Sequence, residues 1–145
     1  MAAIKTLALR NGDLVPGPTG YQTLSGAQKI RQDLALALGE SYGDDRFHPA
    51  WGSALPNYIG EPVGEELRSL TVSEAARVIQ QYIDTQSAEV LQDSLAQNRS
   101  RYDTDDVVSQ VLSIDAELAM DTIKVKVVLR TMAGQSITIS RTVGV

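Results

Sequence analysis

The chain has 145 residues, 43% hydrophobic and 21% charged, a mix that suits one globular domain burying about two thirds of its unfolded surface. Its 13 Lys and Arg against 18 Asp and Glu leave a formal charge of −5, which argues against a nucleic-acid binder or a polybasic membrane anchor. There is no cysteine, so disulfides, thiolate nucleophiles and cysteine-ligated metals are excluded, and the short apolar runs predict neither a signal peptide nor a membrane span.

Residues 1–23 read as an N-terminal arm. Residues 4–10 (IKTLALR) suit a short strand, with Ile4, Leu7 and Leu9 docking it. Gly12, Pro16, Gly17, Pro18 and Gly20 then break regular structure. A helical part spans 24–98. Its first helix begins at Ser25, which has the capping-box spacing to Gln28. Ala27, Ile30, Leu34, Ala37 and Leu38 follow on one face, and Gly39 or Gly43 ends the helix. A polar, turn-rich connection covers 39–52, and a short helix or turn covers 53–59. Thr71 and Glu74 form a second capping-box pair, ahead of Val72, Ala76, Ile79 and Ile83. Leu91 and Leu95 continue that spacing, with a bend or break expected at 84–87.

Residues 107–143 change period. Val108, Leu112, Ile114, Ala116 and Leu118 form one side of an alternating segment that Gln110 interrupts. Ile123, Val125, Val127 and Leu129 alternate with Lys124, Lys126, Val128 and Arg130. Ile137, Ile139 and Val143 alternate with Ser136, Thr138, Ser140 and Thr142. Such alternation predicts strands with one buried face, turning at 120–121 and 133–135. The expected fold is α+β: helices packed on a C-terminal three-stranded antiparallel β-meander, with an extended N-terminal arm. No internal repeat is evident.

Catalytic chemistry is sparse. His48 is the only histidine, and no G-x-S-x-G elbow accompanies it. Asp44 with Asp45, and Asp103, Asp105 and Asp106, are acidic clusters without the glycine and glutamate of a calcium loop, so solvated loop charge is the expected reading. Glu40 with Asp45 is a tempting glycosidase pair, but sequence cannot set their separation. No metal or other cofactor is implied.

The order of features over 24–62, LSGAQKIRQDLALALGESYGDDRFHPAWGSALPNYIGEP, carries a resemblance. An SG…IRQDL…L helix precedes an acidic-basic turn with an aromatic residue and Pro, then WGSAL and EP. This resembles the contractile phage baseplate wedge family, whose relatives include the type VI secretion component TssE and some of whose members are labelled lysozymes. That family carries a Glu-Pro-Arg motif just before its sheet. Here the region reads Gln97-Asn98-Arg99-Ser100-Arg101-Tyr102, so only an arginine survives, as Arg99 or Arg101.

The resemblance implies a non-enzymatic wedge component in the virion tail baseplate, assembled in the host cytoplasm. Its implied partners are other wedge proteins, the tail sheath protein and the tail hub or tube, with no nucleic acid or membrane. Tail completion or connection, or glycoside hydrolysis, are the alternatives. Arg99 and Arg101, with Glu61 and Pro62, are the implied contacts to the wedge bundle. An arginine fork suits acidic or carbonyl groups, although cations beside a helix end also complement its dipole. The last strand, with Ile137, Ile139, Arg141 and Val143, is the candidate for pairing with a sheath strand; a solvated face is the plain alternative. Trp51 and Tyr58 are either core packing beneath a loop or interface anchors.

Overall fold

The computed structural model describes residues 5–97 and 100–144. Two helices, α1 (Gly26–Gly39) and α2 (Glu65–Leu95), lie against a three-stranded antiparallel sheet, so the α+β meander expected from sequence is the observed fold. Six two-residue strands precede them: β1 (Thr6–Leu7), β2 (Leu9–Arg10), β3 (Asp13–Leu14), β4 (Pro16–Gly17), β5 (Gly20–Tyr21) and β6 (Thr23–Leu24). The sheet comprises β7 (Val108–Leu118), β8 (Thr122–Thr131) and β9 (Ser136–Gly144), in that spatial order.

The arm is folded rather than extended. β1 pairs with β6, β2 with β3 and β4 with β5. At their junction three backbone bonds close a ring: Ala8 N–H donates to the Gln22 carbonyl (2.8 Å), Gln22 N–H to Val15 (2.8 Å) and Val15 N–H to Ala8 (3.2 Å). The three residues are spaced by seven, so a repeat exists in the backbone that the side chains conceal. Of the residues expected to dock the arm, Ile4 lies outside the described residues, Leu9 is half-buried and Leu7 is exposed, whereas Ala8 is buried. Docking falls instead to the Gln32 amide of α1. Its oxygen accepts from Leu9 N–H (2.9 Å) and its nitrogen donates to the Leu7 carbonyl (2.8 Å).

α1 buries Ile30, Leu34, Ala37 and Leu38, the expected stripe, and packs on β9. Its start departs from the expected capping box. Ser25 makes no side-chain cap, and Gly26 N–H instead donates to Asp106 Oδ1 at 2.8 Å, from 80 residues away. Asp106 is buried rather than solvated, and its other oxygen accepts from Asp103 N–H (3.0 Å). A carboxylate here complements the positive end of the helix.

α2 begins seven residues earlier than a cap at Thr71 implies, at Glu65, with Glu65 and Glu66 in its first turn. Thr71 is a buried mid-helix residue whose hydroxyl donates to the Leu67 carbonyl (2.7 Å). Nor does the helix break at 84–87; it runs unbroken for 31 residues. Its character changes there instead. Ala75, Val78, Ile79 and Tyr82 are buried, but farther along Gln86 and Asp93 are buried while Leu91 and Leu95 are exposed. The first half meets the apolar sheet, and the second meets loop backbone that needs polar partners. Gln86 supplies two, donating to the Asp106 carbonyl (2.7 Å) and accepting from Val108 N–H (3.1 Å). Among the described residues no helix is long and apolar enough to cross a membrane.

In the sheet, Ile123, Val125, Val127 and Leu129 of β8 and Ile137, Ile139 and Val143 of β9 form the inner row. β7 shifts register twice, between Val108 and Gln110 and between Val111 and Ser113. Each extra residue flips the alternation. Val111, not Leu112, therefore pairs with the inward Leu129, and both Val111 and Leu112 are exposed.

Candidate interaction surfaces

Among the described residues no further strand pairs with either outer strand of the sheet, and a helix arginine touches each. Arg68 of α2 donates Nη1 to the Ala116 carbonyl of β7 at 2.7 Å. Arg31 of α1 donates Nε to the Thr138 carbonyl of β9 at 3.2 Å, in an exposed setting. The Thr138 carbonyl thus points away from β8. Antiparallel pairing alternates at period two, so the backbone groups of Ser136, Ser140 and Thr142 share that outward edge. β8–β9 pairing runs from Thr122↔Gly144 to Arg130↔Ser136 without a shift.

The residues named from sequence for strand pairing occupy the other positions. Ile137, Ile139 and Val143 are core side chains, and their backbone groups face β8. Arg141 is also on the inner row, half-buried beside the end of α1. Its Nε is buried with no hydrogen-bond partner. Gly39 makes room for it, because a Cβ there would stand 2.5 Å from that nitrogen.

The wedge-contact residues are scattered. Glu61 and Pro62 are exposed in the loop before α2, whereas Arg101 lies beyond its end. Arg99 lies outside the described residues. Arg101 forks onto the buried Asp93 within the chain, with Nη2 at 2.8 Å and Nε at 3.1 Å, and its backbone N–H adds a bond at 3.0 Å. This pairing holds the Asp93 carboxyl below its ordinary range and the guanidinium above its own.

Trp51 and Tyr58 are half-buried and pack against the core. Tyr21 of the arm is exposed, and in the 39–52 loop the aromatics that face solvent are Phe47, 89% exposed, and Tyr42, 55% exposed. The loop carrying them is clamped to α2 by Arg77, which the sequence reading missed. Arg77 grips Glu74 (2.6 and 3.0 Å), donates to the Gly52 carbonyl (3.1 Å) and lies 5.2 Å from the Tyr42 ring centre. Burial alone would raise the Glu74 carboxyl, but bonds from Arg77 and Ala54 N–H hold it below its usual value. The Glu74–Arg77 spacing, one helical turn, was the available signal.

Between α1, α2 and this loop lies a groove of about 610 Å³, lined in part by Asp33, His48, Trp51, Tyr82, Glu89 and Tyr102. Its charged groups are already paired. Tyr82 donates to Asp33 (2.7 Å), Lys29 also pairs with Asp33, and Tyr102 donates to Glu89. Burial and these carboxylates push both phenols upward. Asp45 accepts from His48 Nδ1 (3.0 Å) and Phe47 N–H (2.8 Å), which lower it. A glycosidase acid needs the opposite shift. Among the described residues no cluster of three or more His, Cys, Asp or Glu could hold a metal.

No known family matches the chain, and no curated protein does. Among solved structures, the crystal structure of a protein named a tail lysozyme, from Geobacter sulfurreducens, aligns with a TM-score of 0.58. The two share a fold. The alignment covers 84% of this chain and 94% of that one, at 12% identity. It takes in most of both chains.

Proposed function

We propose that this chain is a non-enzymatic structural subunit of a contractile phage tail baseplate. In this role it joins the core bundle of larger wedge proteins and starts the sheath by offering β9 to a sheath strand. The observation that carries the proposal is the regular outward edge of β9, where, among the described residues, the backbone groups of Ser136, Ser140 and Thr142 have no partner and the Thr138 carbonyl is lightly held. The fold shared with a protein named a tail lysozyme supports the tail setting. Glu61, Pro62 and the 100–102 segment would face the wedge proteins, and the hub or tube would lie nearby.

Ser140→Pro tests the proposal. Proline is tolerated where an edge N–H faces solvent, but it removes a donor that an incoming strand needs. Wild-type chain and Ser140→Ala, mixed with wedge and sheath subunits, are expected to give sheathed particles by electron microscopy. Ser140→Pro, folded by thermal unfolding and still bound to the wedge, is expected to leave baseplates bare. Normal sheath with that variant would overturn strand pairing. Truncated tails in the absence of the chain would instead assign it to tail completion.

A further inference from the structure

Given β9 as the pairing edge proposed above, we infer that the strand completing it is acidic. Charge is segregated across the sheet. In a chain of net charge −5, residues 122–144 hold Lys124, Lys126, Arg130 and Arg141 and no Asp or Glu. β7, on the far side, holds Asp115 and Glu117 and no Lys or Arg.

The register orders these charges on the outer, helix-free face. Lys124 stands between Glu117 of β7 and Thr142 of β9, and Lys126 between Asp115 and Ser140. Arg130 stands between Gln110 and Ser136. All three cations are exposed, and among the described residues none forms an ion pair within 4.0 Å. The cation row thus has acids on one flank and only short hydroxyls on the other. A strand added to β9 would lie about 9.6 Å from β8, two strand spacings away. The flexible four-carbon stem of a lysine can lie over a serine or threonine and meet a glutamate reaching from the new strand. Bulky or charged residues on β9 would prevent this.

The inner rim adds another cation. A strand pairing with β9 takes the Thr138 carbonyl, which releases the Arg31 guanidinium at the edge. A carboxylate on that strand can accept its two parallel bonds. The edge is therefore flanked by positive charge on both faces. β7 of a second copy would also be acidic, but its two bulges and the Arg68 bond disrupt the ladder it could offer.

The test uses the full chain, isotope-labelled for NMR, with two ten-residue probe peptides. Both alternate threonine with a charged residue, glutamate in one and lysine in the other. The glutamate peptide is expected to shift the amides of Ser136, Thr138, Ser140 and Thr142 and to bind about tenfold tighter than the lysine peptide. Added salt should narrow that gap. Lys124→Glu combined with Lys126→Glu should reverse the order. Equal binding of both peptides at these amides would leave β9 as the pairing edge and overturn the acidic partner. Binding of neither peptide would overturn both. A concentration-dependent oligomer of the chain alone, with the same amides protected, would make the occupant a second copy.

Discussion

The two outer strands of the sheet are built on opposite plans. β7 is bulged twice, bears acids, and has one carbonyl held at 2.7 Å by Arg68. β9 is regular, bears hydroxyls, and has one carbonyl held at 3.2 Å by an exposed Arg31. Bulges twist an edge and interrupt its ladder, a common way to prevent unwanted pairing. The same sheet therefore has one edge interrupted by register shifts and one that is regular throughout. The lesson is that an edge is defined by its regularity as much as by its exposure.

The contrast should appear first in packing. Ile139→Ala on β9 removes a fully buried side chain and is expected to cost about 2–5 kcal/mol in urea unfolding. Val111→Ala, between the two bulges of β7, should cost about 1 kcal/mol or less. Equal losses would mean that β7 is as tightly packed as β9.

The edge arginines give a smaller effect. Arg68→Met is expected to cost about 1.5 kcal/mol, because the Ala116 carbonyl loses a short charged bond. Arg31→Met should change stability by about 0.5 kcal/mol or less, while increasing self-association measured by light scattering. Association of the Arg68 variant instead would move the pairing edge from β9 to β7.

Smallest is an acid dependence outside the sheet. The Asp93 carboxyl is held down by Arg101 in the folded chain, so its contribution is complete above the unfolded carboxylate value of about 3.9. It is lost as pH falls through the lower folded value. Asp93→Asn should therefore flatten stability below about pH 4 without altering the shape of the curve near neutrality. An unchanged acid limb would remove the pair from the account of why the 100–107 loop is held.

β8, β9 and the stripe of α1 were legible because each repeats one local rule, whereas the alternation of β7 is broken by its two register shifts. Alternation in 122–143 and the helical spacing of Ile30, Leu34 and Leu38 report a single buried face. Pattern failed where a partner is distant or polar. Ser25 has the look of a cap, yet Asp106 supplies the bond. Thr71 and Glu74 carry the same signature inside a helix, where the hydroxyl bonds the preceding turn and the carboxylate grips a loop. The arm hid its seven-residue backbone repeat because Ala8, Val15 and Gln22 share no side-chain chemistry.

Arg101 was named as one of two candidates for the arginine of the family motif; its fork is formed, but the structure directs it inward to Asp93. Ile137, Ile139 and Val143 were correctly placed on the last strand, although the outward ladder belongs to their neighbours. Hydrophobic period alone thus determined the last two strands, the first helix and their order, since burial of one face is written residue by residue. Tertiary contact decided the bulges, the caps, the folding of the arm and which backbone groups face outward. Each of these depends on where a hydrogen-bond partner far along the chain comes to rest.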